Sequence, residues 1–120
     1  FQEMDFLAKS QKLRTLDATA LPAKHALAAA TENSADILGY SDLGKIAPGY
    51  KADLILLEMN QPHLQPCYNN DFLTYNANGA DVDTVIIDGN IILQERKFIS
   101  LDVDECMAEV RKLALTLGAF

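Results

Sequence analysis

The stretch Gly44-Lys45-Ile46-Ala47-Pro48-Gly49-Tyr50-Lys51-Ala52-Asp53-Leu54-Ile55-Leu56-Leu57 reads as a turn feeding directly into a strand. Pro48 and Gly49 suit the two central positions of a type II turn: proline presets φ, and glycine accepts a positive φ. Leu54 to Leu57 is a short apolar run bounded by charges, the pattern of a strand covered on both faces.

Downstream, Val82, Val85, Ile86 and Ile87 lead through Asp88-Gly89 to Asn90, Ile91, Ile92 and Leu93. Two apolar runs joined by Asp-Gly predict a hairpin, because both turn residues tolerate positive φ. The chain then predicts a helix from Asp102, whose side chain can cap it while Glu105 reaches back. Val103, Cys106, Met107, Val110, Leu113, Ala114 and Leu117 share one stripe of that helix, read as core packing, and Gly118 closes it.

Upstream, Phe1, Met4, Leu7 and Ala8 recur at helical spacing, with Leu13 and Leu16 continuing the apolar side. The helix they predict is already under way at the first residue. Asp17-Ala18-Thr19 reads as a loop. A second helix begins near Pro22, with Ala23, Ala26, Leu27 and Ala30 as a stripe of small residues suited to close packing. Thr31 to Ser34 offers a break or a fresh cap, and Gly39 ends the short helix that follows in the left-handed conformation. Between Asn60 and Asn78 the chain is rich in Pro, Asn and Gln and reads as an extended connection, pinned to a core by Phe72, Leu73 and Tyr75.

The chain has 120 residues, which fits one domain or a piece of a larger one; folded alone, it could bury roughly two-thirds of its unfolded surface. Its net charge of −7 opposes nonspecific binding to nucleic acid or to an anionic membrane surface. No apolar run approaches the ~18 residues of a membrane-spanning helix. Phe1 is not an initiator methionine, and the acidic, amphipathic start reads as a cut through a longer chain rather than a signal peptide. Cys67 and Cys106 stand far apart without a CxxC and read as reduced thiols of a cytoplasmic protein.

Residue types offer little chemistry. His25 lies on a helix without an HxxxH or HxxEH partner and reads as a packed or solvated helical histidine. His63, between Pro62 and Leu64, reads as a loop histidine with a structural hydrogen bond. Asp81 and Asp83 flank one residue at a strand entry; paired acids could do acid/base work, but solvated turn carboxylates are the default reading. Asp102, Asp104 and Glu105 favour the start of a helix and lack the remaining spacing of a calcium loop. No nucleophile elbow, dinucleotide-binding glycine pattern or phosphate loop occurs.

Three ordered blocks carry a resemblance. Gly44-x-Ile46-x-x-Gly49-x-x-Ala52-Asp53-Leu54 resembles the G-x-I-x-x-G-x-x-A-D-L segment near the C-terminus of the amidohydrolase superfamily. Ala30-Thr31-Glu32-Asn33-Ser34-Ala35-Asp36-Ile37-Leu38-Gly39 is similar to its A-T-x-N-x-A-x-x-L-G helix pair, and Val82 to Asn90 to its following strand, turn and strand. The nearest branch holds the 5-methylthioadenosine and S-adenosylhomocysteine deaminases with the triazine chlorohydrolases. Asn78 to Val85 and the acidic helix after Leu101 fit that branch.

The resemblance implies an α/β fold, the C-terminal fragment of a metal-dependent hydrolase. Residues 1–40 would be the last helices of its (β/α)8 barrel. Residues 41–100 would supply strands of an accessory composite β-sandwich, and residues 101–120 a closing C-terminal helix. The implied parent hydrolytically deaminates, or dechlorinates, a small purine- or triazine-like ring with a water activated by zinc or iron. Its metal ligands and proton-shuttling residues belong to motifs upstream of Phe1. No catalytic, cofactor-binding or metal-ligating residue is therefore assigned to this chain, which alone is predicted inactive. Its partners would be the remainder of the barrel or another copy of itself, because unpaired strand edges and an apolar face stay exposed. The competing reading is a free-standing noncatalytic module of the same sandwich fold, used for assembly or regulation.

Overall fold

The computed structural model describes residues 1–118. Helix α1 spans Gln2–Thr15, α2 Ala23–Ala30 and α3 Glu32–Ile37. Strand β1 (Leu54–Leu57) follows, then a 3-10 turn at Pro62–Leu64, helix α4 (Asp71–Asn76) and a second 3-10 turn at Gly79–Asp81. Strands β2 (Val82–Ile87), β3 (Asn90–Gln94) and β4 (Lys97–Phe98) precede the last helix, α5 (Val103–Thr116). Ala119 and Phe120, the end of the predicted closing segment, lie outside the described residues.

The strands form one antiparallel sheet in the order β1-β2-β3-β4. Leu54 faces Ile86 and Ile55 faces Val85, so the first predicted strand runs beside the predicted hairpin. Asp88 and Gly89, at φ 49 and 78, make the two-residue turn between the paired residues Ile87 and Asn90. A second tight turn, Glu95-Arg96 at φ 49 and 62, adds β4, which carries no sequence signal of its own.

The turns before β1 follow the sequence closely. Tyr50 N–H donates to the Ala47 carbonyl at 3.1 Å, with Pro48 and Gly49 (φ 87) between them, as a type II turn requires. Asp53 has a role that its pattern did not disclose: its carboxylate accepts the Asp88 N–H at 2.6 Å, and the Ala52 carbonyl accepts the Gly89 N–H at 3.1 Å. The start of β1 thus holds the tip of the β2–β3 hairpin. Gly44, at φ 83, passes so close to the start of α3 that a Cβ would lie 2.7 Å from Glu32 Cα and 2.9 Å from the Thr31 carbonyl carbon. Lys45 reaches the Glu32 carboxylate at 2.8 Å beside it.

In the helical layer Met4, Ala8 and Ala26 form the buried cluster, with Phe1 and Leu21 packed against it. The small residues of α2 allow this close approach. Helix α4 packs on α1 and α2, and the buried Thr74 hydroxyl donates to the Ala23 carbonyl at 3.3 Å. The Lys12 ammonium donates to the Ala20 and Leu21 carbonyls at 2.7 and 3.2 Å and stands over the Tyr75 ring.

Several expectations are corrected. The connection read as extended contains α4, a helix too short for periodicity to reveal and held by tertiary packing. Leu13 and Leu16 do not continue the buried side of α1; both are exposed, and Leu16 caps the helix in the left-handed region. Ile55 and Leu56 of β1 are about half exposed, so the strand is not covered on both faces by the described residues. The α5 stripe packs into no core: the helix has no buried residue. The Asp102 side chain caps it by accepting the Glu105 N–H at 3.0 Å, and Gly118 (φ 68) stands after it as read. The radius of gyration is 18.0 Å, well above the ~14 Å of a compact chain this long.

Gly44→Ala is expected to cost about 3 kcal/mol in a urea melt, combining left-handed strain with overpacking against α3. Gly39→Ala, at a similar φ but facing open space, should cost about 1 kcal/mol. Equal losses at the two positions would dismiss the close approach as the constraint.

Candidate functional site

The polar cluster with the most structure among the described residues gathers around His63. The 3-10 turn Pro62–Leu64 is anchored by Leu64, which is fully buried, and this leaves the preceding His63 half exposed at the surface. His63 Nε2 lies 3.0 Å from the Asp81 carboxylate. Asp81 closes the second 3-10 turn and is only 2% exposed. Its carboxylate also accepts the Asn78 N–H at 2.8 Å, while the Asn78 side chain accepts the Ala80 N–H at 2.8 Å. Asn-Gly-Ala-Asp is therefore a capping box, with each end satisfying the other's backbone.

This arrangement sets the chemistry of the pair. The hydrogen bond from His63, opposed by burial and helped by the Asn78 N–H, holds the Asp81 carboxyl below the usual carboxylate range. An ionised Asp81 takes a proton-bearing Nε2 as its donor, which leaves Nδ1 as the lone-pair nitrogen of the neutral ring. The Asn78 amide also lies 3.2 Å from Nε2, but its oxygen already faces the Ala80 N–H. The cluster orients one histidine and ties the connection after β1 to the start of β2.

His63 thus has the structural hydrogen bond expected of it, and His25 is exposed on α2. The reading of Asp81 as a solvated turn carboxylate is corrected, since it is buried and bonded. Asp83 does not join it: its carboxylate accepts the Thr84 hydroxyl at 2.9 Å, and its carbonyl accepts the Arg96 N–H. The two acids face different partners and form no acid/base pair. Asp102 caps α5, and Cys67 and Cys106 are both free and exposed. Spacing did not disclose the His63–Asp81 pair, which lies 18 residues apart. The Asn78-x-x-Asp81 capping pattern was the available signal.

Among the described residues no group of three or more His, Cys, Asp or Glu could hold a metal ion. The His63–Asp81 pair offers at most two donors, and both Asp81 oxygens are engaged. A catalytic zinc needs three protein ligands and an open position, so these residues do not fit one. No helix among them is long and apolar enough to cross a membrane.

Comparison with known proteins adds what the site does not. A family model described as "Amidohydrolase family" matches residues 1–92. The 5-methylthioadenosine/S-adenosylhomocysteine deaminase 1 of Syntrophus aciditrophicus is 43% identical over 116 residues, 95% of this chain and 26% of its own length. The 5′-deoxyadenosine deaminase of Methanosarcina mazei is 42% identical over 99% of this chain and 28% of its own length. A zinc-bound adenosine deaminase from Xanthomonas campestris superposes with a TM-score of 0.92 at 30% identity, covering 99% of this chain and 28% of that one. Zinc-bound atrazine chlorohydrolase from Arthrobacter aurescens gives 0.76 at 21% identity over 92% of this chain, a likeness of fold alone. The chain spans about a quarter of the length of the curated relatives it matches.

Replacing Asp81 by Asn is expected to destabilise the fold by about 2 kcal/mol at neutral pH, because a charge-assisted bond is lost from a buried site. The lowered carboxyl contributes stability that is fully present above the unfolded value and lost as pH falls through the folded one. Urea melts of the two proteins should therefore differ above the ordinary carboxylate range and converge as the pH falls below it. A difference that persists unchanged in acid would rule out the ionised pair.

Proposed function

The chain belongs to the amidohydrolase family, and we propose that it is the C-terminal portion of a metal-dependent aminohydrolase, supplying scaffold while the chemistry resides on other residues of the parent. One observation carries the reading. The whole fold coincides with a little over a quarter of a zinc-bound deaminase, while its own polar cluster does not fit a metal. Residues 1–40 are then the terminal barrel helices, residues 41–100 part of the composite β-sandwich and residues 101–120 the closing helix. The bare faces of β1 meet the remainder of the parent, which holds the zinc or iron.

The reaction class is hydrolytic deamination, in which water replaces an exocyclic amine of a ring and ammonia leaves. A purine nucleoside is favoured over a triazine. The relatives above 40% identity are named for adenosine-type substrates, whereas the chlorohydrolase shares only the fold. Within this reading the contribution of the chain is positional. The His63–Asp81 pair ties the connection after β1 to the start of β2, and the Asp53–Asp88 tie holds β1 to the hairpin tip. The protein acts in the cytoplasm, without nucleic acid or membrane.

The test is a chimera in which this chain replaces the matched quarter of the Syntrophus deaminase, assayed with 5-methylthioadenosine. The chimera should keep a KM within about tenfold of the parent, since substrate contacts lie in the retained part. The 120-residue chain alone should release no ammonia and retain no stoichiometric zinc after dialysis. A folded, zinc-loaded chimera without deamination would favour the noncatalytic module, and deamination by the chain alone would overturn the scaffold assignment.

A further inference from the structure

We propose that Asn78-Gly79 is a self-modification site that the His63–Asp81 cluster keeps closed, and that opening of the cluster lets Asn78 deamidate irreversibly. Asn78-Gly79 is the only Asn-Gly pair in the sequence. Glycine after asparagine leaves the following peptide nitrogen free of side-chain hindrance and its backbone free to turn. The Gly79 nitrogen then attacks Asn78 Cγ and forms the new N–C bond of a succinimide ring. The Cγ–Nδ2 bond breaks, and ammonia leaves with the proton lost from the Gly79 nitrogen. Water opens the ring at either carbonyl, leaving aspartate or isoaspartate at position 78.

Crowding does not restrain this pair, since a Cβ on Gly79 would meet nothing within 4 Å. Hydrogen bonds do. Asn78 is extended, at φ −137 and ψ 173. Its N–H donates to the Asp81 carboxylate and its Oδ1 accepts the Ala80 N–H, both at 2.8 Å. Its Nδ2 stands 3.2 Å from His63 Nε2. The far end of the turn is tied as well, because the Asp81 carbonyl accepts the Glu58 N–H at 2.8 Å. To bring the Gly79 nitrogen onto Cγ, the carboxamide must leave the Ala80 N–H and the chain must rotate about the Asn78 Cα–C bond. That rotation carries Ala80 and Asp81 away from Asn78. Both bonds of the capping box and the His63 contact therefore break together, and the buried Asp81 loses its partners.

The change cannot be reversed by closing again. Isoaspartate adds a methylene to the main chain, so the Asn78-x-x-Asp81 spacing of the box is lost. A single opening of the cluster is thus recorded permanently in the covalent structure.

The test incubates the 120-residue chain at neutral pH, with and without urea strong enough to unfold it, and follows tryptic peptide 52–96 by mass spectrometry, with fragment ions locating the gain from amide to acid. Asn78 should convert first among the asparagines of that peptide in urea, and at least about tenfold more slowly in the folded chain. His63→Ala leaves residues 78 and 79 unaltered. It should speed conversion of the folded chain at least about threefold and leave the rate in urea unchanged. His63→Gln, whose amide can still donate to Asp81, should restore most of the protection. A chain aged in urea and refolded should unfold at a lower urea concentration than a fresh one. Asn78→Ser keeps a capping oxygen but cannot lose ammonia, and should lose less on the same treatment.

Equal rates with and without urea, earlier conversion of another asparagine, a folded His63→Ala chain that converts no faster than the original, or an equal loss in Asn78→Ser would each overturn the proposal. The ammonia released is at most one molecule per chain, which separates this chemistry from turnover of a substrate by the chimera.

Discussion

The passage of Gly44 across the start of α3 is the constraint on which the arrangement depends. Backbone meets backbone there, leaving no room for a Cβ, and the left-handed φ excludes most other residues as well. Once that loop is seated, the Pro48-Gly49 turn has a fixed origin and β1 a fixed direction. Asp53, at the head of β1, then grips the tip of the β2–β3 hairpin through the Asp88 N–H. Three blocks of sequence that look independent on paper are links of one mechanical series, running from a helix start through a turn to a hairpin tip.

The buried polar groups follow the same economy. Asp81 and Thr74 bond partners 18 and 51 residues away in sequence, and the half-buried Lys12 ammonium bonds the carbonyls of the loop after its own helix. Burial without partners would be unfavourable for all of them. Each joins segments that hydrophobic packing alone leaves loose, since the apolar cluster of the helical layer is small. His63 and Asp81 are engaged in holding loops, and among the described residues no third metal-ligating group stands beside them.

What could be read from the sequence was local. The type II turn, the Asp88-Gly89 hairpin, the Asp102 cap and the glycines that end α3 and α5 all depend on residues a few positions apart. They stand where the pattern put them. Helix α4 was not legible, because Asp71–Asn76 is a single turn and a half stabilised by α1 and α2. Asp81 was misread because its burial comes from the His63 turn, far back along the chain. The stripes of β1 and α5 were legible as apolar faces but not as exposed ones. Periodicity reports that a face prefers to leave water and is silent on what covers it. The family was legible through the order of its motifs.

The two edges of the sheet are unlike. At one end β4 is two residues long, follows a turn of charged residues and presents Lys97, features that discourage another strand. At the other end β1 offers four consecutive aliphatic residues with one side of its backbone unpaired by the described residues. The sheet is therefore polarised, closed to growth at β4 and receptive at β1. A strand that extends it is favoured at the aliphatic β1 edge and opposed at the short, charged β4 edge.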